Sequence, residues 1–226
     1  MCRVAVLAIL IVIGGMVSAA TVLAVALRKA AVKAERGRRD ALYAWTMTSG
    51  WQLYEGDVPT SWRQGFAQLP RFRIRRLACG VVHGLPVTAA DCRYETHSTD
   101  AQGHTQTSEV NLLVLVARLP GRWPDIEVRN RQLGSRLLRA LGRHSAIEIG
   151  HPPFDQRFRV QAADPQVARA LLSPALVDAH LRGHAPQWSI HNGELMTVDQ
   201  VRLTPDHIPP GVERLRWLAS MIGYRG

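Results

Sequence analysis

The sequence predicts an α+β protein in two parts: an N-terminal transmembrane helix, then a mainly antiparallel sheet domain with a helix pair and a C-terminal capping helix. Three observations predict it. Val4 to Leu27 is an uncharged apolar run of 24 residues. From Arg71 onward, apolar residues recur with a period of two in segments separated by Gly, Pro and Asn. Strands do not alternate with helices as βαβ, which disfavours a doubly wound nucleotide-binding sheet. With 226 residues, 46% of them apolar and 20% charged, the chain suits one ordinary domain plus an appendage and is not a disordered chain. Three cysteines are too few for a disulfide framework.

The organisation expected is a transmembrane anchor over residues 1–27, a basic juxtamembrane stalk helix over 28–44 and a globular domain over 45–226. As a helix, Val4–Leu27 measures about 36 Å, enough to cross a hydrocarbon core of roughly 30 Å with some tilt. Thirteen of its residues are Leu, Ile or Val, an upper bound of about −4 to −8 kcal/mol for insertion. A cleavable signal peptide is the competing reading, with Val17-Ser18-Ala19 as the small-residue cut. Against it, Thr21 to Leu27 continues the apolar run past that cut. Gly14/Ser18 and Gly15/Ala19 have the small-xxx-small spacing of close helix pairs, a spacing that alanine-rich spans also contain by chance.

Charge sets the orientation. Residues 1–39 contain seven cations (Arg3, Arg28, Lys29, Lys33, Arg36, Arg38, Arg39) and one anion, Glu35, so they hold +6 of the chain's +10. An excess concentrated beside an apolar run points to a bilayer with anionic head groups rather than to nucleic acid, which is not expected as a partner. Arg28, Lys29, Lys33, Arg36, Arg38 and Arg39 are the candidate membrane-surface contacts. The richer cationic flank tends to stay inside, which places the globular domain in the cytoplasm. Equally, the cations serve only as a stop signal for insertion.

The elements follow in order. Arg28 to about Ala44 contains good helix formers, weakened at Gly37. Gly50-Trp51-Gln52-Leu53-Tyr54 introduces the globular part, and Pro59–Pro70 reads as a loop anchored by Trp62 and Phe66. A strand from Arg71 to Val82 turns at His83-Gly84 and returns over Val87–His97. In that register Cys79 faces Thr88 and Cys92 faces Arg75, so the two thiols lie roughly 13 Å apart, too far for a disulfide. Ser98–Ser108 reads as a polar loop tip. Glu109–Leu119 is the most apolar strand and should be central, and Asp125–Arg131 reads as a half-exposed fourth strand of a meander.

Leu133–Leu141 reads as a short helix or amphipathic loop, followed by strands at Ala146–Ile149 and Phe158–Ala162. Asp164-Pro165 and Ser173-Pro174 place a capping oxygen before a proline that has no donor to lose, which predicts helices Pro165–Leu172 and Pro174–Leu181, the second stopped at Gly183. Asn192-Gly193 predicts a hairpin between Trp188–His191 and Leu195–Leu203. Pro209–Ile222 predicts a closing helix with Val212, Leu215, Ala219 and Ile222 on one face. About eight strands and a terminal helix suit a small bent barrel or sheet, the pleckstrin-homology-like arrangement included.

No catalytic constellation stands out, and no cofactor is expected. Phosphate-cradling GxxxxGK[ST] and GxGxxG patterns and the GxSxG elbow do not occur. His180 and His184 have the i, i+4 spacing of zinc ligands but no glutamate beside the first, and a solvated helix end is the simpler reading. His97 and His104 read as loop residues. Asp155, Asp164 and Asp178 read as turn, cap and helix-surface residues, and Trp123 and Trp188 as core.

A wider pattern is also present. A transmembrane segment, Gly50-Trp51-x-x-Tyr54, a strand Phe154-Asp155-x-x-Phe158-x-Val160, then Asp164, Ala168, Leu171, Leu172 and Pro174 resemble a group of actinobacterial single-pass membrane proteins of unknown function. The resemblance touches about half of the chain and transfers no catalytic residue. The expectation is a non-enzymatic, membrane-anchored binding or scaffold domain at the cytoplasmic face, recruiting a protein partner or lipid. The alternatives are an exported envelope protein and a membrane-bound enzyme whose site assembles from distant residues.

Overall fold

A computed structural model describes residues 2–100, 102, 103, 105–131 and 146–224, with the side chains of residues 2–21 and of Ala24 outside that set. The expected helix or loop over Leu133–Leu141, and His104, therefore lie outside the described residues. Two units are distinguished, residues 1–44 and 45–226, and each has its own organisation. Helix α1 (Cys2–Ser49) makes up the first unit and runs a few residues into the second, without a break at Gly37. Alanines and long unbranched side chains on either side of that glycine offset its helix penalty of about 1 kcal/mol. Among the described residues no helix is long and apolar enough to cross a membrane. The expected span Val4–Leu27 falls mostly on side chains outside the described set.

In the second unit α1 ends at Gly50, whose φ of +73° suits the left-handed turn that stops a helix. The strands that follow are β1 (Gln52–Glu55), β2 (Arg73–Val82), β3 (Leu85–Thr99), β4 (Thr105–Arg118), β5 (Ile126–Asn130), β6 (Ala146–Ile147), β7 (Phe158–Ala162), β8 (Trp188–His191) and β9 (Glu194–Asp199). They form one antiparallel sheet in the order β1-β2-β3-β4-β9-β8-β5-β7-β6. That order runs from β1 at one edge to β6 at the other, and among the described residues no ladder joins the two, so the sheet is open rather than a barrel. The α+β class holds; the strand sequence departs from the expected meander. β1 to β4 follow one another, but β5 does not pair with β4, because the β8–β9 hairpin lies between them.

Local signals explain most of the elements. Asn192 (φ +52°) and Gly193 (φ +75°) both adopt the positive φ of a type I′ turn and close the β8–β9 hairpin. Asp164 and Ser173 accept from the amides of Gln166 and Leu176, capping α3 (Pro165–Leu171) and α4 (Pro174–Leu181) as expected. Cys79 pairs with Thr88 as predicted, but a bulge between Ile74 and Arg76 moves Cys92 opposite Ile74 instead of Arg75. The supposed loop Ser98–Ser108 is mostly strand: β3 and β4 stay paired out to Thr99 and Thr105. Threonines there tolerate extended backbone, and cross-strand hydrogen bonds such as His97 Nδ1 to Thr107 Oγ1 at 2.9 Å hold the ends. β5 is buried from Ile126 to Arg129, not half-exposed. Phe154-Asp155 belongs to a short helix, α2 (Pro152–Arg157), and Phe158 and Val160 to β7, so the motif is a helix–strand junction and not one strand.

The two faces of the sheet are covered differently. On one, Ile74, Leu77, Ala90, Cys92, Tyr94, Leu112, Val114, Val116 and Met196 pack with Trp62, Phe66 and Leu69 from the 3-10 helix Ser61–Phe66 and the loop after it. Trp62 and Phe66 are thus the anchors the loop was expected to supply. The opposite face carries Leu115, on which helix α5 (Ile208–Met221) packs so closely that a Cβ at Gly211 would come within 2.4 Å of the Leu115 side chain. Val212, Leu215, Ala219 and Ile222 are all buried, as their spacing predicted. Phe154 stacks on Phe158 at 4.9 Å and meets His180 of α4 edge-on, and Trp188 lies fully buried on the same face.

The Gly-Trp-x-x-Tyr motif has a structural reason. Trp51 lies flat against Gly80 of β2, where a Cβ would sit 2.5 Å from two ring carbons. An indole fixed at 5.2 Å from Trp45 has little room to retreat. Gly80→Ala is therefore expected to cost about 1–3 kcal/mol by overpacking. Thermal unfolding of the full-length variant checks this, and an unchanged midpoint would refute the close approach.

Candidate functional site

The basic segment keeps its predicted helical form. Arg28, Lys29, Lys33, Arg36 and Arg39 are exposed on α1, while Arg38 is half-buried and ion-paired to Glu35 one turn earlier. At 100° per residue, the first five of these fall within an arc of about 140°, and Arg38 lies outside it. The sequence marked the cations; the helix makes five of them one face.

A second feature was not read from the sequence. An open cleft of about 480 Å³ lies at the end of the sheet where β2 turns into β3. Its floor is a row of side chains that the ladders bring together: Gln52 pairs with Cys79, Cys79 with Thr88 and Thr88 with Val116. Trp62 forms a wall, held edge-to-face against Phe66. Glu194, at the start of β9, forms the rim. Ser61 Oγ donates to its carboxylate at 2.6 and 2.7 Å, and Arg118 lies 3.5 Å from the same group. The Cys79 thiol sits 3.6 Å from Thr88 Oγ1. No motif announces this site, because its residues come from six separate segments and converge only in the folded sheet.

Beyond the cleft, the cleft-side face turns polar. Glu127 of β5 stands directly opposite Gln161 of β7 and Ser189 of β8. Arg129 donates to Glu127 Oε1 at 3.4 Å and to Gln161 Oε1 at 2.8 Å. Glu127 is 1% exposed, and among the described residues neither its Oε2 nor Ser189 Oγ has a hydrogen-bond partner. Burial outweighs the neighbouring Arg129 and Arg159 and pushes the Glu127 carboxyl up to about 7. His180, read as a solvated helix end or a metal ligand, is neither: it is buried, and its Nε2 accepts from Trp188 Nε1 at 3.0 Å. Burial pulls its imidazole down to about 4. Metal coordination by His180 is thus overturned by that hydrogen bond, which uses the ring lone pair on Nε2.

The remaining candidate groups have structural duties. Asp155 accepts from the amides of Ile149, Gly150 and His151, which fixes the turn into α2. Asp164 caps α3, and Asp178 pairs with Arg182 on the surface of α4. Cys92 is buried, and burial together with Asp91 raises its thiol well above the ordinary range, so it is a poor nucleophile. Trp123 donates to the Pro120 carbonyl at 2.8 Å. Among the described residues no three His, Cys, Asp or Glu side chains form a metal-sized group.

Neither a protein-family profile nor a curated protein matches the sequence. Among solved structures, the chain is similar to the crystal structure of the mycobacterial trehalose monomycolate transport factor A, TtfA, with a TM-score of 0.58. Identity is 13%, over 83% of this chain and 96% of that one. The likeness is therefore one of fold, and it extends over nearly the whole of the solved chain.

Glu127 and His180 make opposite contributions to stability in acid. Folded Glu127 keeps its proton to about pH 7, whereas the unfolded carboxyl releases it near 4.5; its contribution therefore falls as pH rises through that window. Folded His180 stays neutral down to about pH 4, whereas the unfolded ring takes a proton near 6.5, so its contribution falls as pH drops from 6.5 to 4. The two nearly cancel in the native protein. Glu127→Gln is expected to leave the histidine effect uncovered, a rise in stability on the order of 3 kcal/mol from pH 4 to 6.5. Denaturant midpoints across that range test it, and parallel curves for variant and parent would refute the assignment to Glu127.

Proposed function

We propose that this chain is a non-enzymatic, membrane-tethered accessory factor that works with a partner in the handling of envelope lipid. Its apolar segment Val4–Leu27 is the anchor, and the unit from residue 45 onward stands on the cytoplasmic side. The observation that carries the reading is the fold shared with TtfA, a transport factor, across 83% of this chain. The resemblance in sequence pattern to actinobacterial single-pass membrane proteins supports the same reading. So does the duty of its polar side chains, which cap helices, hold turns and pair strands.

Helix geometry divides the work of the six cations. Along a continuous helix, Arg28, Lys29 and Lys33 lie within about 9 Å of Leu27, and Arg36, Arg38 and Arg39 lie about 14–18 Å from it. With a screening length of about 8 Å at physiological salt, only the first three act strongly on the anionic leaflet. Each contributes about 1 kcal/mol there. Arg36 and Arg39 extend the cationic face toward water, where an acidic partner segment meets it, whereas Arg38 lies off that face, paired to Glu35.

Two measurements test this. The full-length protein is expected to pellet with membranes after an alkaline carbonate wash, and alkaline phosphatase fused after Gly226 is expected to be inactive. Full-length protein in the soluble fraction with its leading segment intact would sink the tether, and an active fusion would reverse the orientation. Replacing Arg28, Lys29 and Lys33 by Gln should reduce the enrichment of anionic lipid around the full-length protein in mixed-lipid membranes, whereas the same change at Arg36, Arg38 and Arg39 should leave it unaltered. Equal effects of the two triplets would refute the division. Loss of the protein from its own cells is expected to change how glycolipid is distributed between membrane and outer envelope; an unchanged distribution removes the lipid-handling part.

A further inference from the structure

We infer that the cleft bounded by Gln52, Trp62, Thr88, Arg118 and Glu194 binds an uncharged polyhydroxylated ring, a sugar or the sugar head of a glycolipid. The inference rests on the envelope-lipid reading above and gives that reading a ligand site. Three properties of the cleft select this chemistry.

Charge is the first. Glu194 and Arg118, the ionised groups at the rim, lie 3.5 Å apart as a pair, so among the described residues the cleft offers no unmatched charge to a phosphate, a carboxylate or an amine. What it offers is a set of donors and acceptors: the Glu194 oxygens, the Arg118 guanidinium, the Gln52 amide and the Thr88 hydroxyl. Planar carboxylate, amide and guanidinium groups each span two neighbouring hydroxyls of a sugar. Preorganisation is the second property. Glu194 is already oriented by Ser61 and its side chain is only 14% exposed, so little rotamer freedom remains to be lost on binding.

Shape and polarity are the third. Trp62, Cys79 and Val116 line the cleft beside Gln52, Thr88, Arg118 and Glu194, so it presents both apolar and polar surface. A pyranose matches that division, with C–H bonds on its faces and hydroxyls around its rim. A volume of about 480 Å³ lies within the range of roughly 300–1,000 Å³ typical of small-ligand sites. The cleft is open to solvent, which leaves room for an acyl chain attached to the sugar.

The test uses the full-length protein in lipid nanodiscs with two probes, trehalose and an alkyl glucoside below its micelle concentration. Binding is read by saturation-transfer NMR and by calorimetric titration. Saturable binding is expected, weakened about three- to tenfold by Gln52→Ala and by Glu194→Gln, each of which removes hydrogen-bonding capacity at an exposed or rim position. Both variants should keep the parent melting temperature within a few degrees, so lost binding is not lost folding. Tighter binding of the glucoside than of trehalose identifies a glycolipid head as the source, and equal binding identifies a free sugar. Saturation by neither probe, or binding that both variants leave unchanged, overturns the inference. Membrane pelleting and fusion topology do not depend on the cleft, so failure here leaves the tether standing, and a failed tether leaves the binding result intact.

Discussion

The ladder between β4 and β9 is the interaction on which the globular unit depends. It joins β1–β4 to β5–β9, pairing Leu113 through Arg118 with Asp199 through Glu194. β4 is apolar on both faces: Leu112, Val114 and Val116 face the 3-10 helix anchors, while Leu113, Leu115 and Ala117 face the opposite layer. A strand of this kind is stable only in the interior of a sheet, with a partner at each edge and cover on each face. β3 supplies one edge. The other is taken by a hairpin from more than seventy residues later in the chain.

That hairpin positions what lies around it. Because β9 starts beside Arg118, Glu194 comes to the end of the sheet next to Ser61, and the cleft gains its rim. Because β8 then pairs with β5, Ser189 is set opposite Glu127 and a polar group is carried into a buried position. The closing helix meets the same strand from the opposite layer, with Gly211 close against Leu115. One apolar strand thus fixes both layers, the cleft and the polar island.

Polar groups in this unit fall into two kinds. Asp155, Asp164 and Ser173 each satisfy backbone amides that helix ends or a turn would leave without partners, and their identity follows from local geometry. Glu127 and His180 are held in unfavourable protonation environments by non-local burial, with opposite sign. Groups of the second kind are where sequence reading failed. Glu-Val-Arg in β5 has the alternation of a strand with one wet face, yet β7 and β8 flank it and burial extends to both of its faces. His180 looked like the end of a solvated helix, but α4 packs that turn against Phe154, Phe158 and Trp188.

The sequence by itself determined whatever depends on a few adjacent residues. The helical form of the basic segment, the Asp-Pro and Ser-Pro caps, the Asn-Gly turn, the Cys79–Thr88 register and the buried face of the last helix all follow from short-range sterics and hydrogen bonding. Tertiary structure alone decided the strand order, the burial of β5 and the assembly of Gln52, Trp62, Thr88, Arg118 and Glu194 into one cleft. The physical reason is that strand pairing links residues far apart in the chain through backbone hydrogen bonds common to every residue type. The choice of neighbour is therefore made by which surfaces remain to be covered, a property of the whole chain rather than of any segment.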